Sequence, residues 1–270
     1  MSASPSPCPR TGIVSRLRAA GCVLAEDEAQ LVIAAARTPA DLDAMVDRRA
    51  AGLPLEHVLG WAQFCGLRIA VDPGVFVPRP RTEFLVREAA ALARGGAVIV
   101  DLCCGSGAVG VALVAALGRV ELHAADLDPV AVGCARRNVA DAGGQVHEGD
   151  LYEPLPARLR GRVDLLVVNA PYVPSEAIGL LPPEARMHEP RVALDGGADG
   201  LDALRRIAAG ALPWLAPGGH LLVETSARQS TRTIEAVARC GLIPRLARSD
   251  ELDATVVIGT SPARSAADNR

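Results

Sequence analysis

Apolar positions along the chain of 270 residues follow three successive rhythms, and each predicts a different kind of element. Between 12 and 52, Leu17, Val23, Leu24, Leu31, Val32 and Ile33 recur at roughly helical spacing. Thr38 precedes Pro39 as an N-cap precedes the first helical residue, Asp41 and Asp43 fall where a helix N-terminus favours carboxylates, and Gly52 marks a stop. Two or three short helices are predicted there. Between 61 and 77 the rhythm shortens, and Phe64 to Val71 with Val75 to Val77 predict two strands around a turn at Asp72-Pro73-Gly74. Beyond Pro78-Arg79-Pro80-Arg81, a helix capped by Thr82 is predicted as far as Gly95. Short apolar runs then alternate with helical periods, giving strands at 97–102, 119–125, 145–148, 163–168 and 219–224 with helices at 108–117, 129–142, 201–211 and 228–240. A closing strand pair near 242–248 and 253–259 completes an α/β pattern, in which the strands form a parallel sheet with right-handed crossovers.

The boundaries that follow are a disordered tail over 1–10, a helical domain over 11–60, a β-hairpin linker over 61–80, an α/β domain over 81–260 and a second disordered tail over 261–270. Half the residues are apolar but only 3% are aromatic, so the core must be built from Ala, Val and Leu, which fits helix-covered parallel strands better than a sandwich. A net charge of -3 offers no general attraction to phosphate backbones and makes nucleic acid a disfavoured partner. The seven cysteines, Cys8, Cys22, Cys65, Cys103, Cys104, Cys134 and Cys240, form no Cys-x-x-Cys pair, so no structural zinc and a reducing cytoplasmic setting are expected. The N-terminus lacks the basic-then-apolar order of a secretory signal, and no apolar run approaches the ~18 residues of a membrane helix. A soluble cytoplasmic protein without a membrane partner is expected.

Candidate chemistry lies where the strands end, because open α/β sheets bind ligands at the carboxyl ends of their strands. Val98 to Leu102 is a buried strand entering the turn Cys103-Cys104-Gly105-Ser106-Gly107, where glycine lets backbone come close to a ligand at a helix N-terminus. Gly105, Gly107 and Gly110 match the dinucleotide pattern G-x-G-x-x-G, and Asp126 at the next strand end would accept from ribose hydroxyls of either class of cofactor. Asp101 separates the two. A carboxylate there repels a pyrophosphate but suits the cationic methionine moiety of S-adenosylmethionine. Asp150 and Leu151, after the third strand, are placed to accept from an adenine amino group and to pack on the base. Asp126 or Asp150 alone is better explained by a solvated strand end or a helix cap, and Cys103 and Cys104 are read as small packing residues; the joint placement of the carboxylates at successive strand ends favours the methyl donor. Asn169-Ala170-Pro171-Tyr172 then follows the apolar run Val163 to Val168 and offers a side-chain amide, two backbone carbonyls and an aromatic ring, a set able to hold a planar nitrogen nucleophile.

These residues resemble the HemK-type protein (glutamine-N5) methyltransferases of the class I S-adenosylmethionine-dependent fold. The resemblance spans roughly 54–259 and rests on Gly60, Phe64 and Gly66, on Pro78-Arg79-Pro80 with Thr82-Glu83, on the Asp101 to Gly107 turn, Asp126 and Asn169 to Tyr172. It continues through Glu189-Pro190, Ala193-Leu194, Gly196-Gly197 and Gly200 to Pro217-Gly218-Gly219 and Glu224. It implies a Rossmann-like sheet of seven strands with the last antiparallel, preceded by a helical substrate-recognition domain. It also implies cofactor contacts at Cys103, Cys104, Gly105, Ser106, Gly107, Asp126, Leu151 and Asn169, and a target glutamine bound by Asn169, Ala170, Pro171 and Tyr172. The implied partner is a protein carrying that glutamine, with peptide chain release factors among the substrates of the family. Two departures are plain: Ala170 stands where the family has its first proline, and the helical region is shorter.

A glutamine amide nitrogen is a poor nucleophile, so acceptors that fix its plane and take up developing positive charge are the expected source of catalysis. The Asn169 side-chain oxygen and the Ala170 carbonyl are assigned that role, with the Tyr172 ring packed on the amide to exclude water. Ala170 still precedes Pro171 and keeps its extended bias, so activity is expected to survive the change. Two other readings stay open: an N-methyltransferase acting on an exocyclic amino group of a nucleic-acid base, and a non-catalytic relative that binds cofactor. His57, His123, His147, His188 and His220 are read as surface or packing residues, and Arg158, Arg160 and Arg162 as a solvated loop. Arg79, Thr82 and Glu83 divide evenly between bracing the hairpin and lining the cofactor pocket.

Overall fold

The structure is a computed structural model that describes residues 10–263. Arg10 already opens the first helix, and Ser261 is buried with its N–H donated to Gly219 O at 2.8 Å, so neither belongs to a tail. Pro262 and Ala263 are exposed and outside any helix or strand, and the rest of both expected tails lies outside the described residues.

The helical region holds four helices, α1 (Arg10–Ala19), α2 (Ala25–Ala35), α3 (Pro39–Ala50) and α4 (Leu55–Leu59). Ile13, Leu17, Val32, Val46 and Val58 meet in a core of their own. Thr38 caps α3 through Oγ1, which accepts from Asp41 N at 3.1 Å, with Pro39 in the first turn as the sequence predicts. The fourth helix escapes the sequence pattern because five residues are too few to show a helical period.

The hairpin is real but its register differs from the expectation. Strands β1 (Trp61–Phe64) and β2 (Leu67–Ala70) pair antiparallel, with Phe64 opposite Leu67, so the turn lies at Cys65-Gly66 and not at Asp72 to Gly74. Both turn residues have positive φ, 48° and 77°, the geometry that matches strand twist in a two-residue loop. A cysteine gives no sequence signal for it. Glu83 supplies the compensation by accepting from Cys65 N at 2.8 Å. Val71, Val75 and Val77, expected partly as a strand, form no ladder and are buried with Cys134.

A 3₁₀ turn over Pro80–Thr82 leads into α5 (Glu83–Leu92), and Thr82 makes no side-chain cap. The alternating region contains β3 (Val98–Leu102), α6 (Ala108–Leu117), β4 (Glu121–Asp126), α7 (Pro129–Asp141), β5 (Gln145–Glu148) and β6 (Val163–Val168). After two short helices, α8 (Pro183–His188) and α9 (Arg191–Leu194), come α10 (Asp202–Ala211), β7 (Leu215–Thr225), α11 (Ser230–Arg239), β8 (Ile243–Ser249) and β9 (Ala254–Thr260). The seven strands take the order β5-β4-β3-β6-β7-β9-β8, and the last strand in sequence, β9, is antiparallel to both neighbours, as the resemblance implies. Helices α5, α6 and α7 bury one face of the sheet and α10 with α11 the other. Among the described residues no helix is long and apolar enough to cross a membrane.

Strand order reverses between β3 and β6, which stay paired to their last residues, Leu102 and Val168, so the chains leaving their carboxyl ends run to opposite faces of the sheet and leave a crevice there. Side-chain alternation along β3 sends Ile99 into the α5–α7 layer and Val100 and Leu102 into the α10–α11 layer. Asp101 therefore points towards α6. The basic loop is less free than expected: Arg158 and Arg162 pair with Glu121 at 3.3 and 3.8 Å, and Arg160 lies 4.5 Å over the Trp214 ring. His123 is fully buried, bonded to His147 at 2.9 Å and to Glu121 at 3.1 Å, and acts in packing.

Candidate active site

A cleft of about 740 Å³ opens at the β3/β6 crevice, lined by Asp101, Cys103 to Ser106, Asp126, Asp150, Leu151 and Asn169 to Tyr172. Every residue expected from sequence reaches its wall except Gly107. That glycine faces α7, where a Cβ would lie 2.9 Å from Val139 Cγ2. Its lack of a side chain lets α6 and α7 close behind the turn, while the cleft surface itself is made by its neighbours.

The floor is electrostatically prepared for a cation. Asp101 is 2% exposed, and its Oδ2 accepts from Gly110 N at 2.9 Å. Burial pushes its carboxyl up to about 7, with the nearby Asp126 charge adding to the effect and the Gly110 N–H opposing it. Asp126 holds the turn: Oδ2 accepts from Gly105 N at 2.8 Å and Oδ1 from Asp128 N at 2.9 Å. Burial raises its carboxyl too, against these N–H groups. Cys103 and Cys104 have thiols pushed well up by burial, which keeps them protonated and unreactive. Asp150 lines the cleft with Oδ2 held by Arg206 at 2.6 Å, a partner that its position at a strand end did not announce.

The hairpin braces the turn through Asn138 of α7. Its Nδ2 donates to Ser106 O at 2.8 Å and to Ala70 O at 2.9 Å, while Oδ1 accepts from Ala70 N at 2.9 Å. Asn138→Ala removes all three bonds and is expected to cost about 1–3 kcal/mol, read in a urea titration, with weaker cofactor binding. An unchanged unfolding midpoint would mean that this brace carries no weight.

Asn169 to Tyr172 form the wall at the end of β6. Asn169 donates from Nδ2 to Thr82 Oγ1 at 3.3 Å, and Tyr172 OH donates to Glu224 Oε1 at 3.3 Å. Burial, with the neighbouring Glu224 charge, pushes the Tyr172 phenol up to about 12, so it serves as a packed donor and not as a base. The Tyr172 carbonyl accepts from Gln229 Nε2 at 2.9 Å, and Gly200 lies so close beneath it that a Cβ would come within 2.3 Å. That contact explains why a glycine is needed there.

The roof comes from the segment between β6 and α10. Glu189, 6% exposed, accepts at Oε1 from Arg79 at 2.5 Å and from Val77 N at 3.2 Å, fastening the roof to the linker. Arg49 of α3 reaches Glu184 of α8 at 2.6 Å, so the helical region also touches the roof. The even division of the Pro-Arg-Pro stretch resolves by residue: Glu83 braces the hairpin, and Arg79 and Thr82 line the cleft. Thr82 was read as a cap or a cleft residue and Glu189 and Glu224 entered only through the resemblance, with no role assigned, while Arg206 gave no signal at all, because each acts through a partner distant in sequence.

The family model for the methyltransferase small domain matches residues 66–180. The chain is 39% identical over 217 residues to the release factor glutamine methyltransferase of Geobacter sulfurreducens, covering 80% of this chain and 75% of that protein. It is 43% identical over 193 residues to the protein of the same description from Streptomyces coelicolor, covering 68% of each. Among solved structures, a methyltransferase from Pyrococcus furiosus superposes with a TM-score of 0.56 at 17% identity, over 73% of this chain and 90% of that one, a likeness of fold.

Proposed function

Because the chain belongs to the family of release factor glutamine methyltransferases, we propose that it transfers a methyl group from S-adenosylmethionine to the side-chain amide nitrogen of a glutamine in a peptide chain release factor. The observation that carries this reading is the meeting, in one cleft, of a carboxylate-floored glycine turn from β3 with an amide and an aromatic ring from β6. The cofactor, when bound, supplies an electrophilic methyl on a positively charged sulfur. The residues present fit it: Asp101 and Asp126 offer negative charge in a buried floor, and the Cys103 to Ser106 backbone lies open on the cleft.

Asn169 Oδ1 and the Ala170 carbonyl would accept the two amide protons of the target and fix the plane of its nitrogen beside the cofactor end of the cleft. The same two acceptors would stabilise positive charge that develops on the target nitrogen as it takes the methyl group from the cofactor's sulfur. The alkylated amide is acidic enough to lose its extra proton to water. No dedicated base is required, in keeping with a Tyr172 phenol and cysteine thiols that all stay protonated. The helical region over 11–60 is assigned to recognition of the protein substrate, and its Arg49 contact with the roof gives it a place beside the cleft mouth. A cytoplasmic location accompanies such a substrate. Incubation with labelled methyl donor and a lysate of the source organism tests the reading: a labelled band lost to protease and kept after nuclease supports it. Label that nuclease removes would support base methylation in its place.

A further inference from the structure

The loop that leaves β5 is fastened to α10 at successive points along the helix. Asp150 Oδ2 accepts from the Arg206 guanidinium at 2.6 Å, and no other group among the described residues bonds its side chain. Tyr152 OH donates to Ile207 O, on the next residue of the helix, at 2.7 Å. Its ring stacks on Trp214 with centroids 5.8 Å apart, and it lies so close to Gly210 that a Cβ there would come within 2.5 Å. The loop needs such support. Leu151 takes a left-handed conformation, with φ of 50°, which a residue with a Cβ keeps only where its surroundings hold it. Asp202, Ala203 and Arg206 bring one face of α10 to the same cleft that Asp150 and Leu151 line. An ion pair as open as this one, with Arg206 60% and Asp150 32% exposed, adds little to folding, so stability does not explain its place on the cleft wall.

Resting on the reading of the cleft as a site for S-adenosylmethionine, with Asp150 turned to the amino group of the base, we propose that Arg206 is a positioning residue that makes this end of the cleft select adenine. The last torsion of an aspartate side chain is broad, so an untethered carboxylate swings between orientations. Arg206 grips Oδ2, which fixes the carboxylate plane and leaves Oδ1 as the oxygen with lone pairs to offer. That oxygen accepts from the exocyclic amino group of adenine. A purine carrying an oxo group there meets it acceptor against acceptor. Ile207 and Gly210 set the height of the loop through Tyr152, while the guanidinium sets the direction of its carboxylate. The two roles are separable, because a change of the Arg206 side chain leaves the Tyr152 contacts in place.

Calorimetry with two ligands reads the preference directly: S-adenosylhomocysteine, which is the cofactor without its methyl group, and S-inosylhomocysteine, in which oxygen replaces the base amino group. The unaltered protein is expected to favour the adenine form by at least about tenfold, the scale of one hydrogen bond to a charged group. Arg206→Met keeps a long unbranched stem but loses the grip. Its preference should fall to within about threefold, through weaker binding of the adenine form alone. Asp150→Ala should do the same, and combining the two should add no further loss, as expected of groups that act as a unit. In turnover, Arg206→Met should raise KM for S-adenosylmethionine by more than it lowers kcat, and its urea midpoint should match that of the parent. Arg206→Lys keeps the charge without the planar fork, so its preference should lie between those of the parent and Arg206→Met. An Arg206→Met protein that keeps the full preference, or that loses affinity for both ligands alike, overturns the inference and leaves the cofactor reading standing. So does a parent that binds the two ligands equally. A parent that binds neither overturns the cofactor reading itself, and the inference with it.

Discussion

Asn169→Ala is expected to abolish measurable methyl transfer, a loss of at least about 10²–10³-fold in kcat, while affinity for S-adenosylmethionine stays within a few fold. The substitution removes Oδ1, the group assigned to hold the target amide and to answer charge developing on nitrogen. It leaves Asp101, Asp126 and the glycine turn in place. Because Asn169 packs against buried Thr82, the variant also leaves that hydroxyl without its partner at 3.3 Å, so its melting temperature should be recorded alongside. A variant folded as well as the parent and active within threefold would remove Asn169 from the chemistry.

Asp101→Asn should produce the largest change in cofactor binding, and pH shows why. In the free protein burial holds the Asp101 carboxyl at about 7, far above its ordinary value of 3.8. A cationic ligand favours the ionised form, so affinity is expected to tighten as pH rises, by roughly tenfold per unit below pH 7, and to level off above it. Binding near pH 6 should release a proton, visible in calorimetry as a heat that depends on the buffer. The linked effect on folding has the opposite sign. A carboxyl with a raised native pKa binds its proton more tightly in the folded state, so its contribution to stability declines as pH rises from about 4 to about 7. Asp101→Asn should flatten both dependences. Persistence of the same binding profile in that variant would show that another group titrates.

What was legible in the sequence, and what was not, follows from the range of the interactions. Strands β3 and β6 announce themselves as apolar runs, each broken by a single aspartate, Asp101 and Asp164, because both their faces are covered, and the sites at their ends follow from the rule that ligands gather where parallel strands finish. Seven strands with an antiparallel last member were legible through family resemblance, since local pattern does not encode strand order. The hairpin register was not legible: it depends on Cys65 in a left-handed conformation, compensated by Glu83 and held by Asn138, residues brought in from elsewhere. Thr82 was visible as a helix-cap residue, but only tertiary structure shows its hydroxyl diverted to Asn169. Asp150 was legible as a strand-end carboxylate, whereas Arg206, 56 residues away, was not. Gly107 sat in the right motif for a reason of helix packing that spacing alone does not distinguish from ligand approach.

The central claim is the identity of the atom that receives the methyl group. Purified protein incubated with S-adenosylmethionine and a peptide chain release factor from the same organism, followed by fragmentation mass spectrometry of the product, addresses it directly. The expected result is a single added methyl on the side-chain amide nitrogen of one glutamine, absent when Asn169→Ala replaces the parent. A methyl on any other residue type, or a release factor left unmodified by protein that binds the cofactor, would contradict it.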